Sequence, residues 1–473
     1  MKRITQIVLL FAFAILCGNI EAQTYSWGHV AIGGGGFVDG IIISKTNPKV
    51  MYARTDVGGA YRWDTINNKW VQLLDWVSQD NVGHLGIESM ALDPQNDKTI
   101  YLSAGTSYFS NGNSAILKST DGGNTFTTIN VTNQFKVHGN GMGRQMGEKL
   151  VVDPNMSSVL FCGTRCNGVF KSSDWGNTWT NVSTTGSQSD ISNKNGISFV
   201  IFDPSTGTKG RMATKTVIFG VSQTSNNLYI SDDGGITFSA IPGGPALMPQ
   251  RAVIASNRTM YIVYANSEGP WNPTSGAVWK YNLVNKTWTN ITPSGVTYPF
   301  GGVSVDPNNS NRVIISTVNK YLYQYTDASN NMVWGDYVYL STNGGSSWTN
   351  LMNTAITLDA NGCTWIPGFS IHWCGDIQFN PSNTAQAYVV SGNGLFRCDN
   401  VNTSPTTWKF DSKGIEETVP LDMVSIPGGP LFSVIGDYDG FKHTDIFSFA
   451  PVHKPTMGTS TGIAYASTNK NYL

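Results

Sequence analysis

Charged residues are scarce in this chain. Lysine, arginine, aspartate and glutamate make up 13% of its 473 residues and leave a formal net charge of -1. So neutral a surface does not track a phosphate backbone, which excludes nucleic acid as an expected partner. Histidine is sparse as well, with 6 residues, and none stands at ligand spacing near a cysteine pair. No metal and no cofactor is therefore expected. Apolar runs long enough to cross a bilayer are missing. The run at residues 7–16 is short, follows Lys2 and Arg3, and precedes the small-residue site Ile20-Glu21-Ala22. That is the pattern of a secretory leader over residues 1–22. The mature chain is read as secreted, extracellular or periplasmic, free of the membrane and monomeric. Cysteine is rare too. Cys162, Cys166, Cys363, Cys374 and Cys398 remain after the leader, an odd set that leaves at least one thiol over. Cys162 with Cys166, and Cys363 with Cys374, are close enough in sequence to staple short loops.

What the chain has in quantity is glycine, serine, threonine, asparagine and aromatic residues, the make-up of a turn-rich all-β protein. One signature, Ser-x-Asp-x-Gly-x-x-aromatic, repeats as STDGGNTF ending at Phe126, SSDWGNTW at Trp179 and SDDGGITF at Phe238. A fourth copy, STNGGSSW, ends at Trp348, and weaker relatives end at Trp70, Trp288 and Trp408. Between them β-rich runs flank an Asp-Pro or Asn-Pro turn, as at Asp93-Pro94 and Asp153-Pro154. Each unit reads as four strands joined by turns. Seven such units predict an all-β, seven-bladed β-propeller over residues 23–403. Residues 404–473 read as the start of a second, incomplete propeller, so the chain would end inside it.

The Ser-Asp-Gly turns are structural on this reading, because their side chains bond turn amides and their glycines take positive φ. They join the third and fourth strands of a unit. The turns between second and third strands lie at the opposite mouth, with the long loops between units, and function is expected there. Trp27 in WGHV imitates the starts of fourth strands. The N-terminal segment is therefore expected to complete the seventh blade, leaving Trp408 to the second ring.

At that mouth MYARTDVGGAYRWD, residues 51–64, has a degenerate copy FSVIGDYDGFKHTD at residues 432–445. Asp56 meets Asp437 when they are superposed. Two carboxyl groups at matching stations of two rings are a candidate acid and base for glycoside hydrolysis; a water between substrate and base calls for a separation of roughly 6.5–9.5 Å. An aspartate before glycine is also an ordinary turn cap. Tyr108, Trp271, Trp365 and Trp373 are candidate sugar-stacking aromatics, and Arg144 a candidate hydroxyl or carboxylate partner. Interblade packing and a structural ion pair are the alternative readings. Glu416 and Glu417 are rival acids, placed at a strand start.

AIGGGGFVDGI, YARTDVGGAYRWD, GMGRQMGEKL, GIEETVPL and VIGDYDGFKHTD, in this order along the mature chain, resemble glycoside hydrolase family 74. The resemblance implies two seven-bladed propellers with a cleft between them and an inverting, secreted hydrolase of the β-1,4-glucan backbone of xyloglucan. It implies Asp56 as general base, Asp437 as general acid and a polysaccharide partner. Members of the family continue well past this C-terminus, so the chain alone is expected to be weakly active or inactive. A non-catalytic Asp-box propeller acting as a binding or assembly module is the alternative. A sialidase fits poorly, for it needs an arginine cluster and this chain's arginines are scattered.

Overall fold

The computed structural model describes residues 28–470 and 472–473. The leader and Trp27 lie outside them. Four strands, Val38–Ile43, Met51–Thr55, Ala60–Asp64 and Lys69–Gln72, form the first antiparallel sheet in sequence order. Six more sheets follow, with inner strands Ile87–Leu92, Leu150–Val152, Ile197–Phe202, Met248–Ile254, Phe300–Asp306 and Ile377–Asn380. Each inner strand packs beside the next, and those of the first and seventh sheets also pack together, so the succession closes on itself as a β-propeller.

Burial falls from the axis outward. VDGIII and MYART are almost wholly buried, as strands covered on both faces must be, while TTIN at the periphery is largely open and KWVQ buries only Trp70. Most inner strands begin with an irregular register: between Val38 and Gly40, Ile87 and Ser89, Ile197 and Phe199, Pro249 and Arg251, and Phe300 and Gly302. A bulge re-aims the extra residue. The residues so placed include Asp39, Glu88 and Gln250, all buried.

The Ser-Asp-Gly turns are structural, as expected. Ser119 Oγ accepts the Gly123 amide at 2.8 Å, and Asp121 accepts the Thr125 amide at 3.0 Å and its hydroxyl at 2.6 Å. Gly122 and Gly123 hold φ of +80° and +84°, conformations open to glycine.

Closure differs from expectation. Residues 28–30 carry no strand, and the seventh sheet takes Thr407–Phe410 as its fourth strand. Trp408 is fully buried there rather than in a following unit. The short link from Gly394–Cys398 makes this local pairing cheaper in loop entropy than recruiting the distant N-terminus. Thr357–Asp359 adds a fifth, parallel strand outside it. The boundary expected at residue 403 therefore moves past Phe410. Beyond it Pro420–Ser425, Leu431–Ile435 and Asp439–His443 form an eighth, three-stranded sheet. Tyr438, Phe441 and Val452 share a core with Trp365 and Phe410 of the ring. Neither of the two short-loop cysteine pairs that the spacing allows forms: Cys162, Cys166, Cys363, Cys374 and Cys398 are all free thiols.

Candidate active site

Asp56 directly follows Met51–Thr55, at the end of the ring opposite the Ser-Asp-Gly turns. The turn is fixed locally: Thr55 Oγ1 accepts the Gly58 amide at 3.0 Å, and Gly59 takes a φ of +91°. Asp56 is only 7% exposed, and its Oδ2 accepts a hydrogen bond from Arg144 Nε at 2.9 Å. The Arg144 guanidinium stands 5.4 Å from the centre of Phe37 and 5.3 Å from that of Trp271. Cation–π contacts of this kind suit arginine and steady it beside the carboxylate.

Two further carboxyl groups face Asp56. Asp39, paired with Arg54 at 3.4 Å, is pushed well above the usual carboxylate range by burial and then by the charge of Asp56. Glu417 is pushed up by burial first, and then by the charge and the hydrogen bond of Asp56. Its Oε1 accepts the Val57 amide at 3.3 Å. Sequence reasoning set Glu416 and Glu417 aside at a strand start. Instead they lie in the connection ahead of Pro420–Ser425, where Glu416 Oε2 accepts the amides of Ile32 and Gly33.

Asp437 follows Leu431–Ile435 after one glycine and so occupies the station in the eighth sheet that Asp56 occupies in the first. It is exposed, has φ +70°, and its amide donates to Thr459 Oγ1 at 2.9 Å. The structure brings Asp56 together with Arg144 and Glu417. It gives no hydrogen bond between the Asp56 and Asp437 side chains among the described residues.

The aromatic candidates divide. Tyr108 and Trp271 are 56% and 51% exposed and both stand on turns between second and third strands. Trp373 is half-buried, 6.3 Å from Trp271 and 5.5 Å from Phe37. Trp365 is a correction: at 2% exposure, ringed by Phe369, Phe410, Tyr438 and Phe441, with its indole N–H donated to Ile32 O at 2.8 Å, it is core. Tyr321, half exposed and 6.1 Å from His372, was missed. It too follows a second strand, Asn309–Thr317, so the rule that placed Asp56 would have found it.

Behind this surface, residues 141–149 run through a buried polar hub. Arg54 donates to the Glu148 carboxylate and to the carbonyls of Ile87, Arg144 and Met146. Arg251 joins Gln145 O and Gly375 O and lies 3.5 Å from Asp376. Asp376 Oδ2 in turn accepts the Ile41 amide. Glu88 is held between Arg165 and Lys149. Burial alone would raise the Glu88 carboxyl, but the two cations hold it down at about 2. Among the described residues no group of His, Cys, Asp and Glu side chains is arranged to hold a metal ion.

No protein-family model matches the chain. It is 35% identical over 515 aligned residues to the xyloglucanase Xgh74A of Acetivibrio thermocellus, covering 98% of this chain and 59% of that protein. The crystal structure of the Niastella koreensis GH74 enzyme superposes with a TM-score of 0.87 at 51% identity, over 94% of this chain and 64% of that one. The GH74 xyloglucanase from Xanthomonas campestris gives a TM-score of 0.80 at 34% identity, over 89% and 61%. The chain thus spans about three fifths of the length of each of these relatives.

Proposed function

The chain belongs to glycoside hydrolase family 74, and from that premise we propose that it is a secreted, inverting hydrolase of the β-1,4-glucan backbone of xyloglucan. Asp56 is the general base and Asp437 the general acid. The observation that carries this reading is the pairing of Asp56 with Arg144 beneath exposed aromatic turns at one mouth of the propeller. An arginine hydrogen bond to one carboxylate oxygen leaves the other to take a proton from water. The matching station of Asp437 and its exposure to solvent support its reading as the acid that protonates the leaving oxygen. Inversion follows if a water fits between the sugar and Asp56. Tyr108, Trp271 and Trp373 supply faces on which sugar rings stack, and no cofactor takes part. The enzyme is exported through its leader and works as a monomer.

Turnover of xyloglucan by the full-length protein, beside its Asp56→Asn and Asp437→Asn variants, tests this, with the anomer of the first product followed by NMR. Each variant is expected to lose roughly 10³-fold or more in kcat, and the wild type to release the inverted anomer. Wild-type turnover in either variant, or retention of configuration, overturns the assignment.

A further inference from the structure

The turn that carries Asp56 is covered by a side chain from far along the sequence. Glu417 is 2% exposed, and its Oε2 reaches so far over the turn that a Cβ on Gly58 would come within 1.6 Å of it. Residue 58 has no room for a side chain. Oε2 is buried and receives no hydrogen bond from any donor among the described residues. For an ionised carboxylate that is costly, because the oxygen has left water without replacement. Its polar neighbours are the Asp56 carboxyl and the Thr55 hydroxyl, and the latter donates its proton to Gly59 O at 3.2 Å. Two facing carboxylates repel, whereas a single proton between them satisfies both.

We propose that Glu417 is a positioning residue for Asp56, holding a proton on its carboxyl and donating it as a hydrogen bond to the Asp56 carboxylate. The proposal rests on the reading of Asp56 as the base. Asp56 is then gripped by a cation, Arg144, and by a neutral acid, Glu417, and its remaining lone pairs are aimed rather than free to rotate. The charged and titratable groups around the pair fit this state. Arg144, Asp39 and Glu417 face Asp56; Asp56 and the Tyr61 phenol face Glu417. Asp39 is tied to Arg54, and Glu416 is engaged with the amides of Ile32 and Gly33. No cation pairs with Glu417 among the salt bridges of the described residues, whereas Asp56 has one. The proton therefore resides on Glu417. Burial and the charge of Asp56 act in the same direction, holding the Glu417 carboxyl well above the usual range.

Two variants of the full-length protein separate positioning from packing. Glu417→Met keeps the volume and loses the donor. It is expected to lower kcat on xyloglucan about tenfold or more and to move the acid limb of kcat/KM up by about one pH unit. Glu417→Gln keeps an N–H donor and is expected to recover most of the rate and to return the limb toward its wild-type position. If the two variants behave alike in rate and limb, Glu417 only fills space and the proposal fails. An infrared measurement needs no turnover. The wild-type minus Glu417→Gln spectrum is expected to show a protonated-carboxyl band at neutral pH, and the midpoint at which that band titrates is expected to fall in Asp56→Asn. A difference spectrum without the band also overturns the proposal. Full turnover in Asp56→Asn would instead sink the assignment of the base while leaving the infrared result standing, so the two failures are distinguishable.

Discussion

The phenol of Tyr438 donates a hydrogen bond to Oδ1 of Asn393, joining the residue after Asp437 to the seventh sheet of the ring that carries Asp56. Tyr438 is 7% exposed and packs 5.1 Å from Trp365 and 5.4 Å from Phe369. It is the peg that seats the eighth sheet. Tyr438→Phe keeps the packing and removes the donor, at a cost of about 1–2 kcal/mol in stability. If Asp437 is the acid, kcat falls about tenfold while KM changes little, because the acid is misplaced rather than lost. Steady-state kinetics beside thermal melts check both halves.

Arg144 is predicted to be irreplaceable by lysine. An ammonium keeps the charge but lacks the delocalised guanidinium that contacts both Phe37 and Trp271 while directing one N–H to Asp56. Arg144→Lys is expected to lose about tenfold in kcat/KM with the fold intact. Arg144→Met leaves a buried carboxylate without its cation and is expected to cost about 3 kcal/mol besides. Denaturant melts and xyloglucan kinetics separate the two effects.

Glu88 sets an acid limit on stability. Its carboxyl titrates at about 2 in the fold against an ordinary value of 4.5, because Arg165 and Lys149 outweigh the effect of burial. The folded state therefore binds fewer protons than the unfolded chain between those values. The contribution is fully present above about pH 4.5 and is lost as pH falls toward 2; a shift of this size corresponds to about 3 kcal/mol. Glu88→Gln is expected to be destabilised near neutrality and to converge on the wild type over that window. Melting temperatures against pH in both proteins provide the measurement.

Trp365 and Trp271 are expected to respond oppositely to alanine. Trp365 is enclosed by aromatic rings, so Trp365→Ala costs about 3–5 kcal/mol. Trp271 is half in solvent, so Trp271→Ala moves stability by about 1 kcal/mol or less and raises KM several-fold, as loss of a sugar-stacking face would. Calorimetry and kinetics on the pair distinguish core from site.

The propeller was legible because its turn chemistry repeats. Ser119, Asp121 and Gly123 each have a local task, and local tasks leave local signatures. Asp56 was legible for the same reason, standing at the end of a strand whose phase the repeats set. Glu417 was not. Its amide partner Val57 lies 360 residues away, and nothing near position 417 records that its side chain lands beside a carboxylate. Trp365 misled in the converse way: a tryptophan on a long loop reads as exposed until the eighth sheet is seen to cover it. The seventh sheet was misassigned because a tryptophan start on the wrong segment looked like a fourth strand, whereas Thr407–Phe410 had the shorter path.

A repeat array whose units touch only their neighbours can shed one unit at a time. Residues 141–149 remove that freedom. Their backbone and side chains bond to Arg54 and Ser89, to Asn195 and Val200, and to Gln250 and Arg251, groups from four different sheets. They act as a linchpin: fraying of any of these four spokes must first break bonds to a segment that also anchors the other three. Heat is therefore expected to melt the ring in one calorimetric step.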